Sequence, residues 1–149
     1  MKTVTLTLLS MLFSTLSLTL ASAASAAEPS PRDLHTARCV AALDVNTQDL
    51  ARQVKSGQES LRRMLQDRLV AGAAFIGDSY LHGNRDEDRA RALADQALAA
   101  QKNLPASELA ARQAACADEG AKLFSAGNGL QRAVVKQLAK KRMDKLLGA

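Results

Sequence analysis

A single proline, Pro105, interrupts the chain between Pro31 and its C-terminus, and no other feature constrains the fold as much. Proline breaks helix interiors, so its scarcity leaves long stretches free to be helical. Those stretches are rich in Ala, Leu, Gln, Arg and Lys and poor in β-branched side chains, which is the composition of high helix propensity. The sequence predicts an all-α fold, a compact bundle of about five mostly antiparallel helices joined by short loops.

A segment of different character precedes the bundle. Lys2 is followed by an apolar stretch at residues 4–20 and by small residues at 21–27, the pattern of a secretory signal peptide. Cleavage after Ala26 or Ala27 fits the small-x-small rule, with Ala23 as a third site. Seven Thr or Ser residues soften the apolar stretch, which favours removal over retention as an anchor. The expected organisation is a removed signal peptide over 1–27 and a single helical domain over 28–149, periplasmic or secreted. A domain of about 120 residues holds one core, which disfavours functions needing two lobes around a cleft. Past the signal only Phe75, Tyr80 and Phe124 are aromatic, too few for stacking platforms that bind sugars or single-stranded nucleic acid.

Two cysteines, Cys39 and Cys116, form an even pair in an oxidising compartment, so a Cys39–Cys116 disulfide is expected. There is no Cys-x-x-Cys, and structural stapling is the better reading than a redox role.

Helix boundaries follow from local signals. Ser30, Pro31 and Asp33 make a capping box that starts the first helix, with Leu34, Ala37, Val40 and Ala41 facing inward and a break near Asn46 or Thr47. Ser56 and Glu59 form a second box ahead of a long run in which Leu61, Met64, Leu65, Leu69, Ala73, Ile76 and Tyr80 share one face. Asp86, Glu87 and Asp88 suit the positive end of a third helix, whose light inner stripe is Ala90, Leu93, Ala94, Ala97 and Leu98. A fourth helix runs from about Ser107 to Ala126, and the turn Gly127, Asn128, Gly129 leads into a basic amphipathic C-terminal helix at about 130–147. Gly72, Gly77 and Gly120 suggest close approach of helix axes.

Several strings mimic functional motifs. Phe75, Ile76, Gly77, Asp78, Ser79 and Tyr80 resemble the nucleophile block of the GDSL esterase and lipase family. That resemblance implies Ser79 as nucleophile, a C-terminal Asp-x-x-His pair to activate it, and a parallel sheet. It covers six residues, the Asp-x-x-His pair is missing, and helical periodicity runs through the string, so it is read as a chance match on a helix and no catalytic residue is assigned. Asn84, Asp86, Asp88 and Asp95 copy positions of a calcium-binding EF-hand loop, but Arg89 stands where the loop needs Gly, and helix-start acids are the better reading. His35 and Cys39, four apart on a helix, can reach one metal ion. Two ligands are not a site, and Cys39 has its use in the disulfide, so neither metal nor cofactor is expected.

The positive charge is local. From Arg132 onward six Lys or Arg residues face one Asp, whereas residues 28–131 carry thirteen bases and fourteen acids. On the C-terminal helix Arg132, Lys136 and Lys140 form one basic row and Lys141 and Lys145 another, around Val135, Leu138, Ala139, Met143, Leu146 and Leu147. Such a helix either packs on the bundle with its cations solvated or contacts an anionic surface. With no catalytic constellation, the expected function is a non-enzymatic protein that binds another envelope protein, as inhibitor, immunity-type protein or stress factor. The alternative is peripheral binding to anionic membrane or lipopolysaccharide through the C-terminal helix. Nucleic acid is disfavoured by the compartment.

Overall fold

Ser30 starts the first helix as its spacing predicts. In the computed structural model, which describes residues 28–83 and 85–148, its hydroxyl accepts from the Asp33 amide at 3.1 Å while the Asp33 carboxylate accepts from the Ser30 amide at 3.2 Å. The helices are α1 (Pro31–Asp44), α2 (Thr47–Lys55), α3 (Ser60–Leu81), α4 (Glu87–Lys102), α5 (Ala106–Ala126) and α6 (Gly129–Leu147). Among the described residues there is no strand, and no helix is long and apolar enough to cross a membrane. The signal peptide expected at 1–27 and Asn84 lie outside the described residues.

The first helix does break where the sequence suggests. Asn46 adopts a left-handed conformation, φ 66°, which short polar side chains tolerate better than most, and the chain restarts as the separate helix α2. The second capping box does not form. Ser56 terminates α2, its hydroxyl donating to the Gln53 carbonyl at 2.8 Å, and Gly57 then takes φ 102°. Glu59 instead pairs with Arg62, whose guanidinium holds the Glu59 carboxyl below its ordinary pKa. The sequence motif was satisfied locally by ending one helix rather than by starting the next.

Helix α3 is the central member, packed against α1, α2, α5 and α6, while α4 lies mainly on α1. One core cluster joins Cys39 and Leu43 of α1, Ala71 and Phe75 of α3 and Cys116 of α5. A second joins Ala51 of α2, Leu65 and Leu69 of α3 and Ala139 of α6. Leu43, Leu65 and Phe75 are at most 2% exposed, and complete burial of such side chains contributes about 1.5–3 kcal/mol each. The apolar side of α6 faces the bundle through Val135 and Ala139, with Met143, Leu146 and Leu147 packed on the second cluster. α1 runs against α5, since His35 meets Glu119 and Ala42 meets Gln113, but α3 and α5 run in the same sense, because Arg68 meets Gln113 and Ala71 meets Gly120. α4 carries the chain back between them.

The expected disulfide is present, joining α1 to α5 with Cα atoms of Cys39 and Cys116 5.3 Å apart. Of the three glycines read as sites of close approach, only Gly120 is one: a Cβ there would lie 2.6 Å from the Ala71 Cβ. At Gly72 a Cβ would meet nothing within 4 Å, and at Gly77 it would make an ordinary 3.7 Å contact with Val135. The α4 stripe is lighter than expected, with Ala90 exposed and Gln101 the one buried residue of that helix.

Buried polar groups tie the break after α1 to the rest of the bundle. The Gln113 amide donates to the carbonyls of Ala42 at 2.9 Å and Val45 at 3.3 Å, which lack helical partners at the end of α1. Arg68 donates to Gln113 Oε1 at 3.0 Å, and partial burial lowers the Arg68 pKa from its ordinary value. Across the same junction Arg142 of α6 pairs with Asp44 at 3.1 Å.

Candidate functional site

The stripe read as the buried face of α3 is covered for only half its length. Leu65 and Leu69 lie under α2 and the C-terminal part of α6, but Ile76 is 52% and Tyr80 53% exposed. The reason is the shortness of α2: nine residues cover the first turns of α3 and leave the later ones bare. Met64, near the start of α3, also turns outward rather than into the core.

The first half of α6 has the same character. Leu130, Val134 and Leu138 recur every fourth residue on a largely exposed face beside the buried Val135 and Ala139, with Leu130 the most exposed at 76%. Between this row and the end of α3 lies a groove of about 400 Å³, walled by Gly77, Tyr80 and Leu81 on one side and Leu130, Val134 and Leu138 on the other. Leu123 and Phe124 of α5 form its floor. The capping box that fixes the start of α6, Asn128 with Gln131, sets the angle at which this row leaves the turn; its amide-to-side-chain bonds are 2.9 and 2.7 Å. A neighbouring groove of about 410 Å³ between α1, α3, α4 and α6 includes Asp44, Arg68, Asp95 and Arg142 and is crossed by the Arg142–Asp44 pair. The α3–α6 groove is the apolar one.

The basic residues of α6 divide into two groups. Arg132 donates to the carbonyls of Gly127 at 2.9 Å and Ser125 at 3.3 Å, closing the end of α5. Lys136 lies 5.9 Å from the Phe124 ring centroid, and Lys140 pairs with Asp144 at 3.6 Å. Of the five residues read as a possible anionic-surface contact, Arg132, Lys136 and Lys140 thus have partners within the protein. Lys141 and Lys145, by contrast, have no ion-pair or hydrogen-bond partner among the described residues and continue the outward face of Leu130, Val134 and Leu138.

No family model, curated protein or solved structure matches the chain. The site is therefore read from its own geometry.

The other strings settle into structural surroundings. The sequence at 75–80 lies within α3, with Ser79 buried and His82 acting at the helix end, its Nδ1 2.7 Å from the Asp78 carbonyl oxygen. The strand-borne nucleophile that the esterase resemblance implies is replaced here by a helix. Asp86 caps α4, accepting from the Arg89 amide at 3.0 Å, with Glu87 and Asp88 in the first turn. Leu81, Leu130 and Val134 are the groove residues that sequence reasoning passed over. The i, i+4, i+8 spacing of Leu130, Val134 and Leu138 was the available signal, and it was hidden because Val135 and Ala139 form a second apolar row beside it.

Proposed function

We propose that this protein works outside the cytosol as a non-enzymatic binding protein whose α3–α6 groove receives an amphipathic helix of another envelope protein. The observation that carries the proposal is the exposure of Tyr80, Leu81, Leu130, Val134 and Leu138 around one apolar groove. Contiguous exposed apolar surface is costly to keep in water and commonly marks an interaction face. A helix laid in such a groove inserts apolar side chains at helical spacing, the usual mode for grooves between helices. Lys141 and Lys145 follow Leu138 on the same face of α6, beyond the end of the groove, so acidic residues flanking the apolar anchors are the complementary chemistry. The disulfide between α1 and α5 supports an oxidising compartment.

Replacing Leu130 and Val134 by Asp tests this directly, because both side chains are exposed and neither belongs to a buried core cluster. The variant is expected to retain its helical circular dichroism and to lose the partner recovered by crosslinking from the envelope. Undiminished recovery of the same partner would refute the assignment.

One feature favours a second reading, attachment to an anionic membrane or lipopolysaccharide: the outward row of α6 is apolar at one end and carries Lys141 and Lys145 at the other. That reading requires binding to anionic vesicles that weakens with salt and with Lys141→Gln and Lys145→Gln. Vesicle binding insensitive to both would eliminate it.

A further inference from the structure

The disulfide sits inside a group of metal-ligand side chains that sequence spacing only half disclosed. His35 and Cys39 are four apart on α1, and Cys116 and Glu119 are three apart on α5, so each helix presents two ligand-type side chains on one face. The two faces meet. His35 Nε2 lies 2.9 Å from a Glu119 carboxylate oxygen and 3.9 Å from Cys39 Sγ, and the ligand atoms of His35, Cys39 and Glu119 all fall within 4.8 Å of one another. Cys116 Sγ is bonded to Cys39 Sγ, which brings the fourth side chain to the same point.

As a disulfide the two sulfurs are poor ligands, because a metal takes the thiolate. We propose that the reduced protein holds a divalent zinc-type ion between α1 and α5 on His35 Nε2, the Cys39 and Cys116 thiolates and one Glu119 oxygen. The disulfide and the metal site are then alternative states of one helix junction. Reduction by an external dithiol places two electrons and two protons on the sulfurs and leaves the donor as its own disulfide. Metal binding afterwards releases both thiol protons to solvent.

Geometry, access and charge agree. Tetrahedral zinc with bonds of about 2.0–2.3 Å separates its ligand atoms by about 3.5 Å, close to the spacings already present around His35. The sulfurs must move apart by less than one atomic diameter, which side-chain rotation supplies with Cα atoms 5.3 Å apart. The cysteines are buried, but the His35 and Glu119 side chains are 53% and 46% exposed and give an ion a path inward. The Phe75 ring and the His35 imidazole meet edge to face with centroids 6.0 Å apart, which restricts the imidazole's orientation. Two thiolates and a carboxylate around a dication leave one net negative charge, and Arg38 and Arg112 line the same pocket.

The test is titration of Co2+, then Zn2+, into protein reduced with a trialkylphosphine, which becomes its oxide and does not compete for metal as a dithiol would. Expected are thiolate-to-cobalt charge-transfer and tetrahedral d–d bands saturating at one ion per chain, displaced by Zn2+ and absent from oxidised protein. His35→Ala and Glu119→Gln are each expected to weaken binding at least about tenfold. Far-UV circular dichroism covers the case in which reduction unfolds the chain: one equivalent of metal then restores helix, since binding and folding are coupled. Four results would overturn the proposal: no stoichiometric binding by reduced protein, failure of metal to restore helix to an unfolded reduced chain, equal binding by oxidised protein, or affinity unmoved by both substitutions, which would leave the two thiols as sole ligands.

Discussion

Adding one methyl group at Gly120 and at Gly72 should shift stability in opposite directions. In a helix interior Ala is favoured over Gly by about 1 kcal/mol, and this gain applies equally to both positions. At Gly72 nothing opposes it, since a Cβ meets no atom within 4 Å. At Gly120 the same Cβ would lie 2.6 Å from the Ala71 Cβ, 2.8 Å from its Cα and 2.9 Å from its carbonyl oxygen. Carbon contacts settle at about 3.5–4.0 Å, so α3 and α5 must separate by about 1 Å. Two of the three contacted atoms are backbone, so no rotamer change relieves the clash. α5 is also held to α1 by the disulfide four residues away, which restricts its retreat. Overpacking of this kind costs about 1–3 kcal/mol, and the rigidity of the neighbours places Gly120 at the upper end. After the helix-propensity gain, Gly120→Ala is expected to lose about 2 kcal/mol and Gly72→Ala to gain up to about 1 kcal/mol. At about 4 °C per kcal/mol for a domain of this size, thermal unfolding should place the two variants about 10 °C apart. Equal shifts, or a stabilised Gly120→Ala, would refute the close α3–α5 contact.

Removing the disulfide by replacing Cys39 and Cys116 with Ala should lower the unfolding free energy by about 4.5 kcal/mol, the chain-entropy value for a sequence separation of 77. Urea unfolding measures this, and a loss below about 1 kcal/mol would mean that native strain or residual structure in the unfolded chain offsets the loop-closure gain. Gln113→Leu should cost about 1–3 kcal/mol, since it strands the Ala42 and Val45 carbonyls and leaves Arg68 without its acceptor. Chemical denaturation checks that value, and hydrogen exchange should show the α1–α2 break opening first; an unchanged midpoint would show that water replaces the side chain.

What was legible in the sequence was local. Ser30, Pro31 and Asp33 act within one turn, and their capping box forms as spacing dictates. Ser56 and Glu59 carry the same signature, but Gly57 between them accepts a positive φ, and ending α2 competed successfully with starting α3. The break at Asn46 was visible in composition, whereas the side chain that closes it, Gln113, lies 71 residues from Ala42 and left no local trace. Periodicity correctly joined Leu65, Leu69, Ile76 and Tyr80 on one face of α3. It could not state how far along that face the covering helices reach: of the uncovered residues Tyr80 walls the α3–α6 groove, while Ile76 lines the neighbouring one. The same limit applies to the cluster at the disulfide: His35 with Cys39 is readable on one helix, but Glu119 joins them only once α5 is in place.

A photo-crosslinking residue placed at Val134 in native cells decides whether the α3–α6 groove seats a helix of another envelope protein, as proposed. One discrete adduct is expected, whose crosslinked segment is an acid-flanked amphipathic helix, lost on Leu130→Asp and absent when the probe stands at exposed Gln53 on α2. No adduct from Val134, or the same products from Val134 and Gln53, would contradict it.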